Sequence, residues 1–138
     1  MSLRFLDTNI LLRYFTRDDE EKARKALALL HRIERGEERV ETSLPVIFET
    51  VFTLQRYYHV PKSRIRELLI PILRLRGLHV ATKNRCLDAL DLYVENPDLS
   101  FADAFTAVTM KARGMTEIYS WDSDFDEIEG IKRLEPEE

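Results

Sequence analysis

Short apolar segments alternate with longer amphipathic segments along this chain, and that alternation limits the folds it can adopt. The short segments are typical of strands and lie at 3–6, 39–43, 78–81, 116–120 and 131–134. Between them, residue patterns typical of helices cover 20–36, 44–58, 61–75, 84–95 and 101–113, with a turn into a brief helix from 121. Strands separated by helices pair in parallel and are covered on both faces. The sequence therefore predicts an α/β fold built on a parallel sheet.

The composition is that of a compact soluble protein. Hydrophobic residues make up 44% of the 138 residues and charged residues 33%, with only four glycines and five prolines. A chain of this length can bury a hydrophobic core, so we expect one domain over 1–138. No apolar stretch approaches the roughly 20 residues that cross a bilayer, and no signal peptide is evident, so we expect a cytoplasmic protein with no membrane partner. The single cysteine, Cys86, falls on an apolar helix face and is interpreted as a core thiol.

Three aspartates follow predicted strands closely. Asp7 follows the first strand, and Asp122 and Asp124 follow the fourth. In an open parallel sheet the functional crevice lies beyond the carboxyl ends of the strands, so these positions are candidates for a site. Each also has a structural explanation, since Asp7 could cap the following helix and WDSDF could be an ordinary turn. Position alone leaves both interpretations open.

Two further acids are isolated among apolar residues. Glu49 is the only charged residue from 42 to 55, and Asp103 is the only one from 99 to 110. Asp103 fits a capping box with Ser100 at the N-cap. Glu49 lies too deep in its predicted helix to cap it, and an unpaired charge in a core costs several kcal/mol. We therefore expect Glu49 to be buried and to face something positive.

A divalent cation would neutralise these acids, because no arginine or lysine is spaced in sequence to pair with all of them. Carboxylate oxygens are ligands that Mg²⁺ and Mn²⁺ prefer. The three histidines are scattered and the cysteine is single, which argues against zinc. Water bound to such an ion can attack a phosphodiester, because the metal lowers the pKa of the water and offsets charge on the phosphate. The acids thus suggest metal-dependent chemistry at phosphate.

Four segments, taken in order, resemble one family. They are FLDTN at 5–9, VIFETVF at 46–52, SFADAFTAV at 100–108 and YSWDSDFDEI at 119–128. The set resembles the PIN domain, and most closely the VapC-like toxin ribonucleases. This resemblance implies a three-layer α/β/α sandwich with a central, mostly parallel sheet of four to five strands. It also implies a Mg²⁺- or Mn²⁺-dependent endoribonuclease whose acids meet in one cleft.

The resemblance assigns roles to the acids residue by residue. Asp7, Glu49 and Asp103 look like the first three metal-binding acids of the family. The fourth matches Asp122, with Asp124 close behind. Asp7 and Asp103 would hold the metal directly, whereas Glu49 and Asp122 would act through its waters and help to orient the attacking one.

Supporting residues and partners also follow from the resemblance. Thr8, Asn9 and Ser120 match polar positions that support the cleft in the family. Members of the VapC-like group form homodimers and pair with a small antitoxin protein. The resemblance therefore implies three partners: an RNA substrate, an antitoxin and a second copy of this chain.

The same residues argue against two other functions of strand-end aspartates. A haloacid-dehalogenase-like phosphatase needs a second acid two residues after the first, where this chain has Asn9. A receiver-like phosphoacceptor domain expects an acidic pair before the strand-end aspartate, yet 3–6 contain no acid. Two alternatives stay open, namely a non-toxin PIN nuclease of RNA processing and a non-catalytic interaction domain that retains the fold.

The net charge of −4 argues against a nucleic-acid substrate, because it excludes binding by bulk positive charge. Basic residues do cluster locally, at Arg13, Arg17, Lys22, Arg24 and Lys25, and again at Lys62, Arg64, Arg66, Arg74 and Arg76. Such clusters are also typical of solvated helix faces. Trp121, Tyr57 and Tyr58 are candidates for stacking on the bases of single-stranded RNA.

Overall fold

The computed structural model describes residues 3–137, which fall into two compact units, 3–83 and 84–137. Each unit has its own parallel strands and its own helices. The candidate acids are divided between them: Asp7 and Glu49 belong to the first unit, and Asp103, Asp122 and Asp124 belong to the second. None of the helices described is long and apolar enough to span a membrane.

Three strands and four helices make up the described part of the first unit. In chain order they are β1 (Arg4–Phe5), α1 (Thr8–Thr16), α2 (Glu20–Glu34), β2 (Val40–Thr42), α3 (Leu44–Arg56), α4 (Lys62–Leu73) and β3 (Leu78–Val80). The strands run parallel in the order β1-β2-β3, with Val40 opposite both Arg4 and Leu78. The Thr42 hydroxyl donates a 2.9 Å hydrogen bond to the Leu6 carbonyl. This bond continues the contact between β1 and β2 one residue past the end of β1.

One apolar cluster joins helices and sheet in the first unit. Its most buried members, each at most 3% exposed, are Leu6, Leu11, Ile33, Val40 and Leu78. Burial of side chains of this size contributes about 1.5–3 kcal/mol each. Leu6 is the residue after β1, and Leu11 lies in α1. The cluster therefore packs on both sides of the β1–α1 junction. Asp7 lies at that junction.

The described part of the second unit contains two helices, two parallel strands and one 3₁₀-helix. They are α5 (Lys83–Glu95), α6 (Phe101–Ala112), β4 (Glu117–Tyr119), the 3₁₀-helix (Ser123–Glu127) and β5 (Lys132–Leu134). Ile118 is opposite Arg133 in the ladder between β4 and β5. The rings of Tyr93 and Phe101 pack edge to face with centroids 5.8 Å apart, which joins α5 to the start of α6.

Cys86 on α5 has no exposed surface, which confirms the prediction of a core thiol. Burial raises the pKa of this thiol to about 11. The neutral thiol is the unreactive form, so Cys86 contributes packing rather than chemistry.

The α/β class and the parallel pairing of strands are confirmed. All five predicted strands occur within one or two residues of their predicted limits. They pair as one sheet of three and one sheet of two, whereas a single sheet of four to five was predicted. Helix α1 adds an element to those predicted, because its consecutive apolar residues at 10–12 obscure the helical period. The single domain over 1–138 stays a prediction.

Candidate functional site

Asp7 lies where the chain turns from β1 into α1. It occupies the N-cap position of α1 with extended backbone angles (φ −92°, ψ 160°), yet its side chain makes no capping hydrogen bond to the first turn. An aspartate that serves as a cap accepts such a bond. The Asp7 side chain is exposed, so its carboxylate can meet a ligand beside the positive end of the helix dipole. Capping therefore does not account for this residue.

Thr8 connects the β1–α1 junction to α3. Its side chain is buried, and its Oγ1 donates a 3.2 Å hydrogen bond to Oε2 of Glu49. This bond brings the Glu49 carboxylate to the first turn of α1, although Glu49 is 41 residues away in sequence. Asn9, the next residue of the helix, is exposed. The first unit thus places Asp7, Thr8 and Glu49 at the start of α1.

Glu49 itself is exposed, so the prediction of a buried charge is wrong. Ile47, Thr50 and Val51 around it are at most 1% exposed, whereas Phe52 is 61% exposed. Helix α3 therefore has one solvent-facing side, which the nearly continuous apolar sequence conceals. Because water already solvates its charge, Glu49 needs no buried cation for stability. The reason to assign it to a site is its bond to Thr8.

Two carboxyl groups from separate elements of the second unit lie close enough to influence each other's charge. Asp103 lies in the first turn of α6, and Asp122 is the N-cap residue of the 3₁₀-helix. The Ser100 hydroxyl caps α6 by accepting a 3.1 Å bond from the Asp103 N–H. Asp122 Oδ1 accepts a 2.9 Å bond from the Asp124 N–H. Capping is therefore present at both helix starts, but it does not explain why the two carboxyl groups meet.

The protonation behaviour of these acids reflects their closeness. Burial raises the pKa of Asp103, the Ser100 hydroxyl opposes that shift, and the Asp122 carboxylate raises the pKa further. The pKa of Asp124 is raised by burial and by Asp122, with smaller effects from Asp98 and Asp103. Carboxylates that repel one another in this way favour a bound proton or a bound cation. The second unit therefore offers a place for positive charge.

Ser120 and Arg133 hold the segment that carries Asp122. Ser120 Oγ accepts a 2.9 Å hydrogen bond from the Asp122 N–H. Arg133 of β5 donates to the Ser120 carbonyl at 3.2 Å and to both carboxylate oxygens of Asp126 at 3.1 and 3.3 Å. Sequence reasoning missed Arg133, because only tertiary structure brings the last strand against this turn. The one signal in the sequence was an arginine soon after a segment rich in aspartate.

A comparison with protein families identifies what kind of domain carries these residues. The family model of the PIN domain matches residues 4–131. The chain belongs to the PIN domain family. PIN domains are generally nucleases, so membership supports a hydrolase that acts on nucleic acid. No curated protein matches the chain.

The candidate acids of this PIN domain fit a hard divalent cation by donor type, since all are carboxylates. Among residues 3–137, however, no group of three or more Asp, Glu, His or Cys side chains is arranged to hold a metal ion. Mg²⁺ needs fewer protein ligands, because it keeps several waters and binds through one or two carboxylates. Asp103 and Asp122 supply two, and a bound cation would offset the repulsion by which Asp122 raises the pKa of Asp103.

A groove of about 520 Å³ in the first unit of the PIN domain gathers basic side chains near Asn9. Its basic residues are Arg13, Lys22, Lys25 and Arg32. Each forms a salt bridge, Arg13 with Asp18 at 2.8 Å, Lys22 with Asp19 at 4.0 Å, Lys25 with Glu21 at 3.3 Å and Arg32 with Glu38 at 3.2 Å. Pairs on an exposed surface contribute at most about 1 kcal/mol. The pairing favours the interpretation of these residues as solvated helix faces.

Proposed function

We propose that this PIN domain is a Mg²⁺- or Mn²⁺-dependent endoribonuclease that cleaves RNA phosphodiester bonds, and that it is the toxin of a type II toxin–antitoxin pair. The observation that carries the proposal is the pair of acids Asp103 and Asp122, which lie close enough for Asp122 to raise the pKa of Asp103, in a chain of the PIN family. The four segments that resemble VapC-like toxins support the assignment as a toxin ribonuclease.

On the resemblance to VapC-like toxins, Asp7 and Asp103 are proposed as the residues that would hold the ion directly. When bound, the ion supplies positive charge against the phosphate and lowers the pKa of a bound water. Glu49 keeps its orientation through the bond from Thr8 to Oε2, and it offers Oε1 to the attacking water. From that atom Glu49 can accept the proton of the water, as a general base does.

Asp122 is proposed to orient water bound to the ion. Its backbone N–H is held by the Ser120 hydroxyl, and its Oδ1 is held by the N–H of Asp124. These bonds fix the carboxylate before substrate arrives, which limits the reorganisation needed for reaction. Asp124 adds negative charge beside Asp122 and is the alternative fourth acid.

Aromatic side chains next to Asp122 support a single-stranded substrate. Tyr119 and Trp121 flank Ser120, and each is 73% exposed. Exposed rings beside a phosphodiester site suit stacking on unpaired bases. Tyr58, by contrast, donates a 3.0 Å hydrogen bond to Asp18, so its hydroxyl is committed within the first unit.

Replacing Trp121 by alanine is expected to weaken binding of single-stranded RNA about tenfold, because stacking of one base contributes about 1–3 kcal/mol. Fluorescence anisotropy with labelled RNA in EDTA measures the Kd without cleavage. Tyr57→Ala is the comparison variant, because Tyr57 is a stacking candidate that is 75% exposed but not adjacent in sequence to a candidate acid, so its loss should weaken binding less. Equal Kd values for wild type and Trp121→Ala would exclude a stacking role for Trp121.

A cleavage assay tests the proposed activity directly. End-labelled single-stranded RNA should be cut internally with Mg²⁺ or Mn²⁺ and should stay intact with EDTA. Single-stranded DNA of the same sequence tests selectivity for RNA. Cleavage that persists in EDTA would contradict metal dependence. Absence of cleavage with either ion would favour the non-catalytic interaction domain.

The toxin role, the small antitoxin partner, the homodimer and the cytoplasmic location are proposals that rest on the resemblance. Expression of an active chain in a bacterial host should stop growth, and co-expression of the protein encoded beside it should restore growth. An RNA-cleaving chain that leaves growth unchanged would favour a PIN nuclease of RNA processing.

A further inference from the structure

We infer that Arg133 is a positioning residue that holds the acid turn, residues 120–126, in the conformation that presents Asp122 and Asp124. This inference rests on the proposed function, because it concerns acids assigned to the metal site. It deepens that proposal by naming a residue outside the acidic set on which metal binding depends.

The Arg133 guanidinium bridges the two ends of the acid turn. Its Nη1 donates to the Ser120 carbonyl at 3.2 Å, while Nε and Nη2 donate to the two carboxylate oxygens of Asp126 at 3.1 and 3.3 Å. Nη1 also donates to Glu135 at 3.0 Å. One side chain thus closes a loop whose middle carries Asp122 and Asp124.

The bridge is well placed to be stable. The Arg133 side chain is 19% exposed and that of Asp126 is 50% exposed, so water and salt screen this pair less than a fully exposed one. A two-pronged arginine–carboxylate contact is rigid, because the guanidinium is planar and its donors are fixed relative to one another. The neighbouring backbone reinforces it, since the Ser120 N–H donates a 3.0 Å bond to the Leu134 carbonyl.

A short chain of hydrogen bonds carries this constraint to the acids. Arg133 holds the carbonyl of Ser120, and the Ser120 hydroxyl accepts from the Asp122 N–H at 2.9 Å. Asp122 Oδ1 in turn accepts from the Asp124 N–H at 2.9 Å. The position of each carboxylate therefore depends on the anchored residue before it.

Charge gives the acid turn a tendency to open that Arg133 opposes. Asp122, Asp124 and Asp126 lie within five residues, and like charges this close repel one another. Arg133 neutralises Asp126 directly, while buried Phe125 anchors the turn by packing. If Arg133 is removed, a metal ion must order the turn as it binds, and that ordering lowers its affinity.

The test measures Mn²⁺ affinity by electron paramagnetic resonance of free Mn²⁺, using the full chain and three variants. Arg133→Gln should bind Mn²⁺ about ten- to a hundredfold more weakly, the range typical for loss of a residue that orients metal ligands. Arg133→Lys should lose most of the affinity as well, because one ammonium group cannot reach both ends of the turn. Lys132→Gln is the matched control on the same strand, with an exposed side chain, and should bind like wild type.

Hydrogen exchange of the metal-free proteins gives a second readout that does not depend on metal or activity. The backbone amides of Asp122 and Asp124 should exchange faster in Arg133→Gln than in wild type or Lys132→Gln. If Arg133→Gln fails to fold, Asp126→Asn replaces it, since this variant weakens one end of the bridge and leaves the Ser120 contact. Asp126→Asn should likewise weaken Mn²⁺ binding and speed the exchange of these amides.

The outcomes separate this inference from the proposed function. Suppose that wild type cleaves RNA and binds Mn²⁺, and that folded Arg133→Gln binds Mn²⁺ within about twofold of wild type. This result would overturn the role of Arg133 and leave the proposed function standing. Full affinity in Arg133→Lys would overturn the bridge, because charge without the two-pronged contact would then suffice. Wild type that neither binds Mn²⁺ nor cleaves RNA would overturn both proposals.

Discussion

Replacing Asp103 by asparagine is expected to slow metal-dependent RNA cleavage at least about a hundredfold. Metal contributes several kcal/mol of charge stabilisation in the transition state, and each ~1.4 kcal/mol changes the rate tenfold. The measurement is kcat/KM for labelled RNA at saturating Mn²⁺. Asp88→Asn makes the same charge change at an exposed position of α5 and should retain activity. Full activity in folded Asp103→Asn would remove Asp103 from the proposed site.

The same substitution is expected to make the metal-free protein more stable. Burial and Asp122 raise the pKa of Asp103 above its ordinary value of 3.8. The folded protein therefore holds this proton more tightly than the unfolded chain does. The free energy of unfolding of the wild-type protein therefore falls as the pH rises through the range just above 3.8, and it stays lower at neutral pH.

Thermal unfolding at pH 7 without metal tests whether Asp103→Asn is more stable than wild type. Tm should be about 1–4 °C higher for Asp103→Asn than for wild type, and the difference should shrink as the pH falls toward 3.8. Adding Mn²⁺ should raise the Tm of wild type more than that of the variant, because a ligand stabilises the state that binds it. An inactive variant with a lower Tm would instead indicate damage to the fold.

Asp7 tests whether the two groups of acids serve one reaction. Asp7→Asn should also lose at least about a hundredfold in kcat/KM, since Asp7 is proposed as the other direct metal ligand. If Asp7 and Asp103 act in the same step, the double variant should be little worse than either single variant. A loss of kcat/KM in the double variant equal to the product of the two single losses would mean that Asp7 and Asp103 act independently.

Replacing Gly77 by alanine is expected to give the largest loss of stability from a single added methyl group, about 2–4 kcal/mol. A Cβ at this position would overlap the carbonyl oxygen of Glu38 and would lie 2.7 Å from that of Ile33. Both obstacles are backbone atoms, which cannot move aside as a flexible side chain can. Gly77 also donates to Ile33 at 3.1 Å and accepts from Val40 at 2.8 Å, so a shift would break bonds that join α2 to the sheet.

Gly114→Ala is the matched control for this prediction. Gly114 has a positive φ of 70°, but no atom lies within 4 Å of a Cβ placed there. Its replacement should cost only the backbone strain, about 1 kcal/mol. Urea unfolding gives both free energies. Gly77 has no positive φ, so a loss at 77 no larger than that at 114 would show that close approach of the backbone does not require glycine at 77.

The fold was largely predictable because its signals are local. The strand limits follow from short apolar runs, and caps such as Ser43 and Ser100 lie next to the helices that they start. Helix α1 escaped prediction for a local reason as well, since consecutive apolar residues do not show a helical face. The error at Glu49 is different, because exposure depends on which side of α3 the rest of the protein leaves uncovered.

By itself, the sequence determined the α/β class, the order of strands and helices, and the set of carboxylates that are candidates for chemistry. These features depend on the pattern of side chains along the chain, which short-range hydrogen bonding and periodic burial convert into structure. Only tertiary structure decided that Thr8 bonds to Glu49, that Asp122 lies close enough to Asp103 to raise its pKa, and that Arg133 closes the acid turn. Such contacts join remote segments, so they form only after the helices and strands have packed.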